Sequence, residues 1–155
     1  MFFFLAKISI AQTDSIPLYE RYGAVPPFTI TKVPDSSSFA NTDLNKKQSV
    51  IIMEFSPDCE HCQRETDSLI AHIDLFKDVQ IVMASPLNFE NILKFYKDYK
   101  IADYPNITMG RDGAYALGSF YKIRNFPSIF VYDKEGHFKK AFSGSYPIQK
   151  IAAAL

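Results

Sequence analysis

Pro57-Asp58-Cys59-Glu60-His61-Cys62 holds both cysteines of the chain, two residues apart. Ahead of it runs Val50-Ile51-Ile52-Met53, apolar without alternation, which reads as a strand buried on both faces. Behind it Cys62, Thr66, Leu69, Ile73 and Phe76 recur at the three-to-four spacing of one helix face. Strand, Cys-x-x-Cys, then helix is the context of a dithiol redox site. A helix that starts near Cys59 sets the first sulfur among unpaired backbone N–H groups and at the positive end of the macrodipole. Both favour the thiolate, the reactive form. Cys62 lies one turn further in, within reach of a disulfide. Cys59 is then expected to attack, and Cys62 to resolve the mixed disulfide.

Other uses of two such cysteines are weaker. A structural zinc site takes four ligands, and this pair supplies two. The histidines outside the motif, His72 and His137, stand at no finger-like spacing. Haem attachment wants His directly after the second Cys, where this chain has Gln63. A purely structural disulfide here would close a tiny loop and constrain the unfolded chain little.

At 155 residues the chain is long enough for one domain with a real core. It is 47% hydrophobic, with 14 Phe, 9 Tyr and no Trp, which predicts an aromatic-rich interior. Seventeen basic residues balance seventeen acidic ones, so no basic field calls for nucleic acid. Residues 1–11 open on an apolar stretch and end in Ser9-Ile10-Ala11, a small-x-small pattern. They read as a signal-peptide remnant without a basic leading region, too short to span a membrane. Residues 12–25 form a polar, turn-rich lead-in, and the domain is expected over 26–155.

Strands are expected over 28–33, 49–55, 79–84, 106–109, 128–132 and 137–142, with turns at 34–38 and 133–136. One short helical turn fits 41–47. Helices are expected over 59–76, over 113–123 and over 146–155. Another starts at Ser85-Pro86, with Ser as N-cap and Pro at the first helical position, and its inner face is Phe89, Ile92, Leu93 and Tyr96. The order predicts an α/β fold, a central mixed sheet with helices on both faces.

These segments resemble the thioredoxin superfamily, and within it the TlpA/ResA-like thiol–disulfide oxidoreductases related to the AhpC/TSA group. The resemblance covers about 26–155. It rests on Pro27-Phe28-Thr29-Ile30, the strand into the Cys pair, Tyr104-Pro105, Tyr121 to Ser128, and Asp133-Lys134-Glu135-Gly136, all in family order. It implies a thioredoxin-like fold and makes Pro127 the family's cis-proline beside the cysteines. Phe126, just before it, would contact substrate. Glu65 matches the acid three positions after the second Cys in the ResA-like branch. The i,i+3 spacing independently puts it on the Cys62 face, placed to relay that thiol's proton. An exposed pair with His61, at i,i+4, is the alternative.

The chain departs from the family at three places. Asp58 replaces the usual Trp, His61 the common Pro, and Met53 the buried acid of thioredoxin; Glu54 next to it would point to the other sheet face. DsbA-like oxidants also carry His before the second Cys. His61 would stabilise a Cys59 thiolate, while Glu60 and Asp58 oppose it, so an intermediate potential is expected.

The leading expectation is a thiol–disulfide oxidoreductase that exchanges disulfides with cysteines of protein substrates outside the cytoplasm, in the periplasm for instance. It needs no cofactor and no metal. It would act as a monomer and draw on a thiol electron donor, membrane-bound or not. Two other classes stand beside it. A thiol peroxidase would have Ser56 three before its cysteine, but Ile52 where a Pro is needed. A copper-handling module of this scaffold would use Cys-x-x-x-Cys and a distant His; the spacing here is one shorter, and His137 falls on the following hairpin.

Overall fold

Strand β3 (Ser49–Glu54) feeds the cysteine loop, and its buried residues divide between two cores. Ile51 and Met53 face one, Val50 and Ile52 the other, as a period of two requires. A computed structural model describes residues 16–155. The signal-peptide reading of 1–11, and 12–15 of the lead-in, lie outside the described residues.

Seven strands form one sheet in the order β2-β1-β5-β4-β3-β6-β7. They are β1 (Thr29–Lys32), β2 (Ser38–Ala40), β3, β4 (Val79–Ser85), β5 (Ile107–Arg111), β6 (Ser128–Tyr132) and β7 (Phe138–Ser143). β3, β4 and β5 run parallel; β6 lies antiparallel to β3, and β1 to β5. The sheet is mixed, as expected. Helices α2 (Glu60–Ala71), α3 (Phe89–Asp98) and α5 (Ile148–Ala152) cover the face with Met53, Met83 and Ile129. α1 (Leu18–Tyr22) and α4 (Ala116–Tyr121) lie on the face with Ile52, Phe130 and Tyr132. Fully burying a side chain such as Ile52 contributes about 1.5–3 kcal/mol, and this row makes β3 the axis of both layers.

Several elements depart from expectation. The helix expected from Ser85-Pro86 starts later, with the Asn88 side chain accepting from the Asn91 N–H at 2.9 Å. Ser85 is held in the ladder instead: its carbonyl accepts the Asp112 N–H at 2.9 Å. The inner face of α3 centres on Ile92 and Phe95, with Phe89, Leu93 and Tyr96 only half-buried. The helix expected over 59–76 ends at Ala71, and a 3-10 turn (Ile73–Phe76) carries the stripe on to the buried Phe76.

β2 begins inside the expected turn, a strand too short for periodicity to show. Within the lead-in, α1 sets Tyr19 edge-on against Phe130, centroids 5.2 Å apart. α4 is shorter than 113–123 because the Asp112 carboxylate accepts from the Ala116 and Leu117 N–H groups, each at 2.9 Å, and starts the helix there. The closing helix is likewise trimmed to α5, after Pro147. The 133–136 turn is as expected: Asp133 Oδ1 accepts from the Glu135 and His137 N–H groups, and Gly136 takes φ +82°.

Candidate active site

The loop after β3 brings Cys59 to the N-cap of α2. Its Sγ accepts the Cys62 N–H at 3.4 Å and lies 3.6 Å from the Phe126 carbonyl oxygen, to which the thiol can donate. The loop is braced from behind, the Gln63 side-chain amide donating to the Pro57 carbonyl at 2.9 Å. Cys59 is half-buried, Cys62 fully buried. The first sulfur is thus accessible and the second shielded.

Burial raises the Cys62 thiol well above its ordinary range. A backbone hydrogen bond from Ser56 opposes this, while Cys59 and the charge of Glu65 add to it. The Glu65 side chain is only 3% exposed, which decides its orientation: it points inward. Its Oε2 accepts the Tyr146 N–H at 3.0 Å, and its Oε1 is buried without a hydrogen-bond partner among the described residues. Burial raises its carboxyl above the usual range, opposed by hydrogen bonds from Tyr146 and Ser145. Thr66 Oγ1 donates to the Cys62 carbonyl at 2.8 Å and fixes the same turn of α2.

His61 and Glu65 do not pair. His61 is exposed, and its Nδ1 accepts from the Arg64 guanidinium at 2.8 Å, so the ring proton of the neutral form sits on Nε2. The Arg64 guanidinium also reaches Glu60, 3.7 Å away. His61, Arg64 and Glu60 thus form a surface cluster on the first turn of α2. Phe126 and Pro127 are joined by a cis peptide bond and arrive from the loop before β6, against Cys59. Cys59, Cys62, Glu65 and the 126–127 loop therefore converge; His61 and Glu60 lie on the rim.

Glu54 carries a signal that sequence parity alone does not show. Glu54 points to the far sheet face, yet it is fully buried, with neither carboxylate oxygen hydrogen-bonded among the described residues. Burial first, and the Asp112 charge second, push its carboxyl up to about 9. It pairs across the ladder with Ser128, next to Pro127, so it stands behind the site rather than in it. Ile52, in the place where a peroxidase needs Pro, is locked in mid-strand. His137 is tied to Asp133, 3.6 Å away on its own turn. Among the described residues no three His, Cys, Asp or Glu side chains gather as metal ligands would.

The sequence pattern of the family described as "Thioredoxin-like domain" matches residues 36–155. No curated protein matches the chain. Among solved structures it is similar to a secreted Mycobacterium tuberculosis disulfide oxidoreductase homologous to Escherichia coli DsbE, with 18% identity, 82% of this chain and 92% of that one covered, and a TM-score of 0.69. It is similar to StoA from Bacillus subtilis, with 20% identity, 84% and 98% covered, and a TM-score of 0.61. The reduced 2-Cys peroxiredoxin of Plasmodium vivax is similar too, with 18% identity, 84% and 90% covered, and a TM-score of 0.67. At these identities the likeness is one of fold.

Proposed function

The chain belongs to the thioredoxin-like family, and from that premise we propose that it is a thiol–disulfide oxidoreductase whose working pair is Cys59 and Cys62. The observation that carries the reading is their asymmetry: a half-exposed sulfur at a helix N-cap, and a buried one a turn inside. The Cys59 thiolate attacks one sulfur of a substrate disulfide. That S–S bond breaks, its electron pair leaves on the other substrate sulfur as a thiolate, and a mixed disulfide joins Cys59 to the substrate. Cys62 passes its proton to the Glu65 carboxylate and attacks Cys59 Sγ. The mixed disulfide breaks, the substrate leaves with two thiols after taking up protons, and the Cys59–Cys62 disulfide holds the two-electron oxidation. A thiol donor resets the pair, and the same steps in reverse deliver a disulfide.

Phe126 and Pro127 present the backbone against which substrate lies beside Cys59. His61 and Glu60, joined through Arg64, tune the potential from the rim. Substrates are protein thiols or disulfides outside the cytoplasm. The apolar opening of the chain supports that placement, as does its likeness to a secreted M. tuberculosis disulfide oxidoreductase. A Cys62→Ser variant tests the reading: it should accumulate mixed disulfides through Cys59 that dithiothreitol releases. If it traps no partner, and the native chain shows no reversible two-cysteine couple, the reading fails.

A further inference from the structure

Beside the cysteine loop, between α2 and α3, lies a groove of about 670 Å³ that the redox chemistry does not use. Phe95, Tyr99 and Tyr104 line it, Phe95 and Tyr99 stacked with centroids 4.3 Å apart. Asp58, Asp67 and Asp98 line it too. Two lysines also border it: Lys94 pairs with Asp98, and Lys100 stands at the α3 end. Three carboxylates stand against two ammonium groups, so the groove keeps an excess of one negative charge. Burial first, then the charges of Asp67 and Asp98, hold the Tyr99 hydroxyl above the ordinary phenol range. Asp67 borders the groove from α2 and Asp98 from α3, with Tyr99 next to it.

An aromatic face ringed by carboxylates recognises a cationic side chain, through stacking and charge together. Arginine suits it better than lysine, since a flat guanidinium can lie on a ring and still reach a carboxylate. Asp67 is eight residues along the helix from Cys59, about 12 Å at 1.5 Å per residue. An extended peptide covers that distance in three to four residues, at about 3.3 Å each. Pro57 and Asp58, the two residues before Cys59 in the chain, line the near end of the groove.

We propose that this groove binds the flanking segment of a protein substrate and selects arginine, or less strongly lysine, three or four residues from the substrate cysteine. The inference rests on the redox function above and gives it a substrate class: disulfides set in basic segments.

The test uses the full, reduced chain and synthetic peptides with one cysteine disulfide-linked to a chromophoric thiol. Arg, Ala or Glu stands three or four residues from that cysteine, on either side. The symmetrical disulfide of the chromophoric thiol, without peptide, reports the chemistry alone. On one side of the cysteine the second-order rate constant of thiol release, one turnover per reduced chain, should be ~10-fold higher for Arg than for Glu, and the preference should shrink with added salt. Asp67→Lys should abolish or invert the preference and leave reduction of the small disulfide unchanged. Equal rates for Arg, Ala and Glu peptides, with the small disulfide still reduced, overturn the groove. Failure to reduce any of them overturns the redox function and this inference together.

Discussion

The backbone N–H of Cys62 donates to the sulfur of Cys59 across 3.4 Å, inside the first turn of α2. The two sulfurs share that turn but not their surroundings, since only Cys59 has access to solvent. Iodoacetamide should therefore label Cys59 of the reduced chain ~10-fold or more faster than Cys62. Peptide mass spectrometry over a time course reads this directly. Equal labelling would mean that the start of α2 opens freely, and the assigned order of attack would be lost.

Glu65 is the proton acceptor in the proposed cycle, and its buried carboxyl is raised above the usual range. Glu65→Gln keeps an oxygen to accept the Tyr146 N–H but cannot take a proton. The step that needs the Cys62 thiolate should slow by ~10²-fold, the scale of a positioned general base. Alkylation of Cys59 should be unchanged. The pH profile of mixed-disulfide resolution should lose the limb that belongs to Glu65. A variant that resolves at the native rate with the native profile would leave Glu65 a structural role only.

The sequence made the site legible where the chemistry is local. The Cys pair, the strand before it and the i,i+3 placement of Glu65 all follow from a few adjacent residues. Pro127 was legible only through family order, since 65 residues separate it from Cys62 and no local pattern links them. What long-range packing decides was not legible. Ser85 looks like an N-cap, but its carbonyl is claimed by the N–H of Asp112, the residue that follows β5. Phe95 falls between the expected face positions, and packs inward because Phe55 and Tyr99 lie against it at 5.0 and 4.3 Å. Parity alone put Glu54 on the far face. Its complete burial depends on what α4 and the neighbouring strands cover, which no local pattern states.

That far face also holds a buried polar pair. The Tyr121 and Tyr132 hydroxyls meet at 2.6 Å, both rings buried. Tyr132→Phe leaves the Tyr121 hydroxyl buried without its partner and should cost about 1–3 kcal/mol. Removing both hydroxyls should cost less than the sum of the single changes, because no orphan remains. The Tyr121–Phe130 stack, 3.6 Å between centroids, survives either change. Urea denaturation of the two single variants and the double variant closes the cycle; strict additivity would show that the hydroxyls do not interact.

Glu54 should set how stability varies with pH. Its carboxyl is pushed up to about 9, from an ordinary 4.5. Between those values the folded chain holds a proton that the unfolded chain has lost. The stabilisation is full below about pH 4.5 and is lost as pH rises toward 9. At ~1.4 kcal/mol per unit, the loss by pH 7 is of order 3 kcal/mol. Glu54→Gln removes this titration while keeping shape and neutral polarity. The variant should be the more stable chain at pH 7 and 8, and the gap should close toward pH 4.5. Glu65 titrates in the same direction but is common to both chains, so their difference isolates Glu54. Parallel stability curves from pH 4.5 to 9 would mean that Glu54 ionises freely, and therefore that water reaches the back of the cysteine loop.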